Sequence, residues 1–436
     1  MTDPDSTHPD SMQRDYLQRY QQTVTGVFGT PQRVLVRGRG ATVWDADGAE
    51  YLDLLGGIAV NILGHAHPRI LAALSAQAAT LGHISNLFTS PAQVELAEKL
   101  LELAQAPDGS VFFSNSGSEA NEAALKIARA YGKQLSEHKT RIICVEQAFH
   151  GRTLGAVSVT ARQAYRDPFE PLLPAITRVP AGDLDQMVAA VDETVAAVLI
   201  EPVQGESGVH GYPAGYLAAV RDLCDRHGAL LIFDEVQSGS GRTGTWFAYQ
   251  NPAVTGQKRP VVPDVMTLAK SLGGGFPIGA TVCLNKATSM ALSAGQHGTT
   301  FGGNPLACAV ALEVLHTLEE ENLLERAQAI GRSMATHLTE IEGIETVRVY
   351  GAWAGIDVSI PDQPADQPRP ARDDLNTPHL AARVVTAAAE AGFLINATSP
   401  TTLRLAPSLV VTDEQLDSFY QRLPALVATA SQNHTR

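Results

Sequence analysis

Between about residues 110 and 280 the chain alternates short apolar runs with longer stretches in which apolar positions recur every three to four residues. The runs at 111–113, 141–145, 195–200, 229–233 and 265–268 are too short for helices. They are rich in Val, Ile, Leu or Phe and bounded by polar or glycine-containing segments, which predicts buried parallel strands. Ala120, Ala124, Ile127 and Tyr131 mark one face of a helix, and 216–227 carries another helical pattern. Strand and helix in alternation predict an α/β fold with an open, doubly wound, mostly parallel sheet.

The flanks differ. Before about residue 75, strand-like pieces at 41–44 and 51–54 surround a turn. After about Leu323 come a helix, alternating strands at 347–350 and 354–360, a helix near 379–391 and a last helix from Asp413. The expected organisation is a disordered tail (1–19), a large domain (76–325) and a smaller α+β domain built from both chain ends (20–75 and 326–436). The segment 361–374 holds four prolines in fourteen residues and is expected to be a long surface loop.

Acidic residues outnumber basic ones by 46 to 32, a formal charge of −14. This argues against a broad positive face for nucleic acid or anionic lipid. No apolar run approaches the roughly 18 residues of a membrane span, and the acidic start reads as a solvated tail rather than a secretion signal. Cys144, Cys224, Cys283 and Cys308 form no C-x-x-C pair, so a reduced, cytoplasmic protein is expected.

In an open α/β sheet, ligands bind beyond the carboxyl ends of the strands. All five expected strands carry polar groups there: Ser114 to Glu119, Glu146 to Arg152, Glu201, Asp234 to Gln237, and Lys270-Ser271. Ser116-Gly117-Ser118 opens a helix, where free N–H groups and the helix dipole favour a phosphate; an ordinary N-cap is the competing reading. The run 229–235, ending in Asp-Glu, suggests a nucleotide hydrolase, but neither Lys270-Ser271 nor Lys139-Thr140 is preceded by the glycine that a P-loop requires. Of seven lysines, only Lys270 ends a buried run beside glycines; the other six fall in helical surface patterns or polar loops. Such a lysine is placed for a depressed pKa and attack on a carbonyl, unless it is tied up by Asp234 or Glu201. His65-Ala66-His67 raises a metal-dependent hydrolase, yet two histidines alone do not make a site, and no metal is expected.

These motifs, in this order, resemble the class III aminotransferases, which have the fold type I architecture and use pyridoxal 5'-phosphate. The resemblance rests on 113–124, Phe149 to Thr153, Glu201 to Glu206, Asp234 to Gln237, Ala269-Lys270 and Thr299 to Pro305. The segments 55–61, 82–87 and 403–407 are similar to the acetylornithine aminotransferases within that class. The implied reaction moves the terminal amino group of N-acetylornithine to 2-oxoglutarate, as in arginine biosynthesis. Succinylornithine, ornithine, 4-aminobutyrate or succinyl-diaminopimelate as the amine, or a non-catalytic homologue, are the alternatives.

The resemblance also implies roles. Lys270 would bind the cofactor aldehyde and then move protons; Asp234 would face the pyridine nitrogen. Gln237 would lie by the phenolic oxygen, Phe149 on the ring face, and Ser116, Gly117 and Ser118 at the phosphate. Thr300 would complete the phosphate site from the neighbouring subunit of a homodimer with shared active sites. Arg152, with Thr299 nearby, and Arg404 would take substrate carboxylates, with Glu206 neutralising Arg404 when only one carboxylate must be bound. Phe88 and Ser207 depart from the usual Tyr and Gly of the family.

Overall fold

The computed structural model describes residues 10–359 and 379–432. Its centre is a seven-stranded sheet formed by β1 (Ser110–Ser114), β2 (Arg141–Val145), β3 (Ile176–Val179), β4 (Val195–Ile200), β5 (Leu230–Asp234), β6 (Val265–Leu268) and β7 (Gly279–Cys283), in the order β1-β7-β6-β5-β4-β2-β3. β2 to β6 pair in parallel, while β7 runs antiparallel to both β6 and β1. β1 therefore points the same way as β6, and all five expected strands end on one side of the sheet. The sequence pattern missed β3 and β7. β3 is a four-residue edge strand with the polar pair Thr177-Arg178 at its centre, and β7 begins in a Pro-Ile-Gly-Ala stretch that reads as a loop.

Burial explains why the inner strands read as apolar runs. Every residue of β4, β5 and β6 is buried, because helices cover both faces. The helix α1 (Gly117–Leu135) packs its buried Ala120, Ala123, Ala124, Ile127 and Ala128 on the sheet. Small side chains on that face let the helix axis lie close to the strands, so its first turn meets their carboxyl ends.

Two small sheets flank this one. Glu50–Asp53 pairs in parallel with Phe393–Leu394, so segments from the two ends of the chain share a sheet. Ile344–Val349 and Ala354–Val358 form an antiparallel pair that continues through Thr402–Leu405. The segment 361–374, expected to be a loop, lies outside the described residues.

The expected disordered tail is corrected in part, since Asp10–Thr23 is a helix. Gln13, Leu17 and Tyr20, spaced i, i+4 and i+7, are its less exposed positions. Gln13 Oε1 accepts a hydrogen bond from Val34 N at 3.2 Å, and Arg19 pairs with Asp15 at 3.3 Å. The high polarity of the segment hid this short stripe.

Candidate active site

Beyond the strand ends lies a cavity of about 350 Å³, lined among others by Ser116, Gly117, Ser118, Phe149, Asp234, Gln237 and Lys270. Seven residues separated by up to 154 positions in sequence thus share one wall system.

At one end, Ser116 caps α1, its hydroxyl accepting from Glu119 N at 3.2 Å. Gly117 has no room for a side chain: a Cβ there would lie 2.6 Å from Val236 Cγ1. Ser118 Oγ accepts from Arg152 N at 3.2 Å, which leaves the hydroxyl hydrogen free to donate. Backbone N–H groups, a hydroxyl and the positive end of a helix suit a phosphate.

At the other end, Asp234 is 4% exposed and held on both oxygens. Oδ2 accepts from Asn121 Nδ2 at 2.7 Å and contacts His150 Nδ1 at 2.8 Å; Oδ1 accepts from Val236 N at 3.0 Å. Thr267 Oγ1 donates to Asn121 Oδ1 at 2.9 Å and fixes the amide in turn. The sequence reading assigned Asn121 and His150 no role, because their meaning depends on a strand more than 80 residues away.

Lys270 sits between these ends. Its backbone is left-handed, with φ 46°, at the entrance to a short 3-10 turn (Lys270–Gly273). A non-glycine residue held there carries strain of about 1–3 kcal/mol, which a packed surround must impose. Burial lowers the pKa of its amine; Glu206 pulls it back up and Arg404 lowers it further. Asp234 and Glu201 do not tie it up: Asp234 is engaged as above, and Glu201 accepts from Phe149 N at 2.8 Å and Gly205 N at 3.3 Å. Lys139 shows that burial alone does not mark the chemical lysine. It lies in a loop as expected but is 4% exposed, donating to His227 O at 2.8 Å and Glu193 O at 3.3 Å, away from the cavity.

Arg404, in Thr402–Leu405, is fully buried. Its Nη1 donates to Glu206 Oε1 at 2.7 Å, Gln237 Oε1 at 2.9 Å and Gly205 O at 3.2 Å. Burial pushes the Glu206 carboxyl up, but Arg404 and Lys270 outweigh it and hold it at about 2. Arg404 Nη2 is buried with no partner among the described residues, an open donor beside this pair. Glu206 and Phe149 also face a neighbouring cleft of about 540 Å³.

The remaining expected residues lie outside the cavity wall. Arg152 is exposed, with its guanidinium carbon 3.3 Å from the centre of the Tyr165 ring and 5.7 Å from that of Phe149. Tyr165 carried no signal in the sequence. Thr299 accepts from Asn115 Nδ2 at 3.1 Å, and Thr300 is exposed. His65 Nε2 is bonded to Asp53 Oδ2 at 2.8 Å, and His67 precedes the helix Pro68–Thr80. Among the described residues no three His, Cys, Asp or Glu side chains gather as metal ligands.

The donor set fits pyridoxal phosphate: an anion cradle, a carboxylate at the far end, an aromatic ring and a lysine between them. The comparisons agree. Residues 27–427 match the model of the family described as aminotransferase class-III. The acetylornithine aminotransferase of Mycolicibacterium smegmatis is 45% identical over 95% of this chain and 98% of its own, and that of Streptomyces coelicolor is 44% identical over 96% of each. Among solved structures, the ornithine aminotransferase of Toxoplasma gondii superposes with a TM-score of 0.85 at 31% identity, covering 97% of this chain and 96% of its own. The acetylornithine aminotransferase of Elizabethkingia anophelis gives 0.80 at 32%, covering 95% and 99%. Family match and superposed fold agree with this donor set: the chain belongs to the class III aminotransferases, which are pyridoxal-phosphate-dependent enzymes of fold type I.

Proposed function

We propose that this enzyme moves the terminal amino group of N-acetylornithine to 2-oxoglutarate, giving N-acetylglutamate 5-semialdehyde and glutamate. The observation that carries this reading is the unequal environment of two arginines. Arg404 is buried and neutralised by Glu206, whereas Arg152 is exposed and rests on an aromatic ring. An acylated amine donor presents one carboxylate and a neutral acyl end, so one arginine suffices and the other must be masked. A dicarboxylate acceptor needs both. The named relatives support the same amine donor.

When bound, pyridoxal phosphate supplies the electron sink for the bond-making at the amino-bearing carbon. Gly117 N–H and the hydroxyls of Ser116 and Ser118 would hold its phosphate end. Asp234, fixed by Asn121 and His150, would keep the ring nitrogen protonated, and Gln237 and Phe149, in the same cavity wall, would hold the ring between them. Lys270 Nζ, whose proton is loosened by burial, takes up the proton that leaves the amino-bearing carbon. Arg152 fixes the carboxylate of the amine donor, and Glu206 releases Arg404 when a second carboxylate arrives.

The second partner we propose is another copy of the chain, which would bring Thr300 to the phosphate end. Thr300 is exposed here; Asn86 Nδ2 donates to Thr299 O at 2.9 Å, and Leu87, Phe88 and Phe301 in the two segments so joined are 85%, 69% and 58% exposed, an apolar surface that a second copy would cover. The protein is proposed to work in the cytoplasm; its four cysteines are free and buried, and no described helix is long and apolar enough to cross a membrane.

The test is a panel of amine donors with 2-oxoglutarate, read as glutamate formed. N-acetylornithine should lead the panel. A clear preference for 4-aminobutyrate, ornithine or a succinylated amine would replace this assignment.

A further inference from the structure

Glu201 follows β4 and is 4% exposed. Its carboxylate meets no guanidinium or ammonium group among the described residues; it is held by two backbone N–H groups from two different loops. Oε1 accepts from Phe149 N at 2.8 Å, and Oε2 accepts from Gly205 N at 3.3 Å. Each of these loops leads to one half of the active site. Phe149 lines the cofactor cavity, and the next residue, His150, contacts Asp234 Oδ2. Gly205 offers its carbonyl to Arg404 Nη1 at 3.2 Å, and the next residue, Glu206, pairs with the same nitrogen. A Cβ on Gly205 would collide with the Gln237 amide and would lie 2.6 Å from Trp353, so the loop has no slack on its other side.

We propose that Glu201 is a positioning residue that sets both walls of the active site from one carboxylate, fixing Phe149 against the cofactor and Gly205-Glu206 against the substrate arginine Arg404. The inference rests on the aminotransferase reading above. A buried carboxylate without a cation partner costs folding free energy that an apolar residue would not. Burial and Asp234 push its pKa up and His150 and the two N–H groups pull it down, leaving it at about 7. Tyr212 and Lys270 are the other titratable groups that face it. Its ionised form accepts both N–H bonds well. Protonation occupies one oxygen with a hydrogen and weakens one of the two bonds, and with it the hold on one wall.

Glu201→Gln tests this in the holoenzyme, because the amide keeps the shape but offers only one acceptor. The expected result is a rise of roughly 5- to 20-fold in both the dissociation constant of pyridoxal phosphate and the KM for 2-oxoglutarate, the scale of one lost charge-assisted bond. kcat should change less than about threefold on that scale, and the pH titration of the cofactor's visible band should move relative to wild type. Glu201→Gln with a lowered melting temperature but wild-type cofactor affinity, KM and titration would make Glu201 merely structural and overturn the proposal. If the variant does not fold, wild type alone decides: its KM for 2-oxoglutarate should rise several-fold from pH 8 to pH 6, and a flat profile overturns the proposal. Wild type that forms no glutamate from any amine donor would instead sink the aminotransferase reading itself.

Discussion

Arg404 Nη1 and Glu206 Oε1 lie 2.7 Å apart, with the arginine side chain fully buried and the glutamate side chain 29% exposed. The pair is therefore asymmetric. Asn396 Oδ1, Gly205 O and Gln237 Oε1 pin the buried guanidinium, while the carboxylate, which also accepts from Gln237 Nε2 at 3.2 Å, reaches toward solvent. Glu206→Gln keeps the shape and removes the charge. We expect kcat/KM for N-acetylornithine to fall about 10-fold relative to that for glutamate, roughly one charge-assisted bond's difference. Steady-state kinetics with both donors measures it, and an unchanged ratio would show that the pair does not select substrates.

Lys270→Ala should abolish transfer, by at least about 10³-fold, since both covalent attachment and proton movement are lost. The purified variant should lack the yellow lysine-bound cofactor band while melting at close to the wild-type temperature. A variant that stays yellow and active would remove Lys270 from the chemistry.

Gly117→Ala separates the anion cradle from the fold. Gly117 is at the first helical position, where alanine is intrinsically better by up to about 1 kcal/mol, yet its Cβ would press on Val236 Cγ1 at 2.6 Å and narrow the cavity. Cofactor affinity, read by fluorescence quenching, should fall by about 10-fold or more if a phosphate needs those N–H groups, the scale of one such bond. The melting temperature without cofactor should hold within a few degrees.

Stability should carry a pH signature from Glu235, which accepts from Ala248 N at 2.6 Å, Tyr249 N at 2.9 Å and Ser238 Oγ at 3.1 Å. Burial raises its pKa from 4.5 to about 7 against these bonds. A raised folded-state pKa gives stability that is fully present below pH 4.5 and is lost as the pH rises through 7. Relative to Glu235→Gln, wild type should therefore lose stability on the order of 3 kcal/mol between pH 4 and pH 8. Urea melts of both proteins across that range check it; Glu206, held at about 2, contributes the opposite trend below pH 4.5 and cancels in the comparison.

Much of this molecule was legible in advance because its signals are local. Five strands announced themselves as apolar runs, most clearly β4, β5 and β6, where burial on both faces leaves no room for polar side chains. Their polar ends followed in sequence, and Lys270 stood out because it ended such a run beside glycines. β3 and β7 were not legible: an edge strand and a strand opening on Pro-Ile-Gly take their identity from the neighbours they pair with, as did the half-buried stripe of the helix Asp10–Thr23.

The sequence by itself determined the fold class, the end of the sheet at which chemistry collects, and which lysine to suspect, all properties of residues within a few positions of each other. Only the tertiary structure decided which groups act together. It set Asn121 and His150 on Asp234, laid Arg152 on Tyr165, brought Glu206 within 2.7 Å of Arg404 as the family resemblance implied, and joined Phe149 to Gly205 through Glu201. Apart from the Glu201–Gly205 bond, which spans four residues, those contacts span from about a dozen to nearly 200 residues of chain. A hydrogen bond or an ion pair depends on distances of 3 Å that only the packing of the whole sheet fixes.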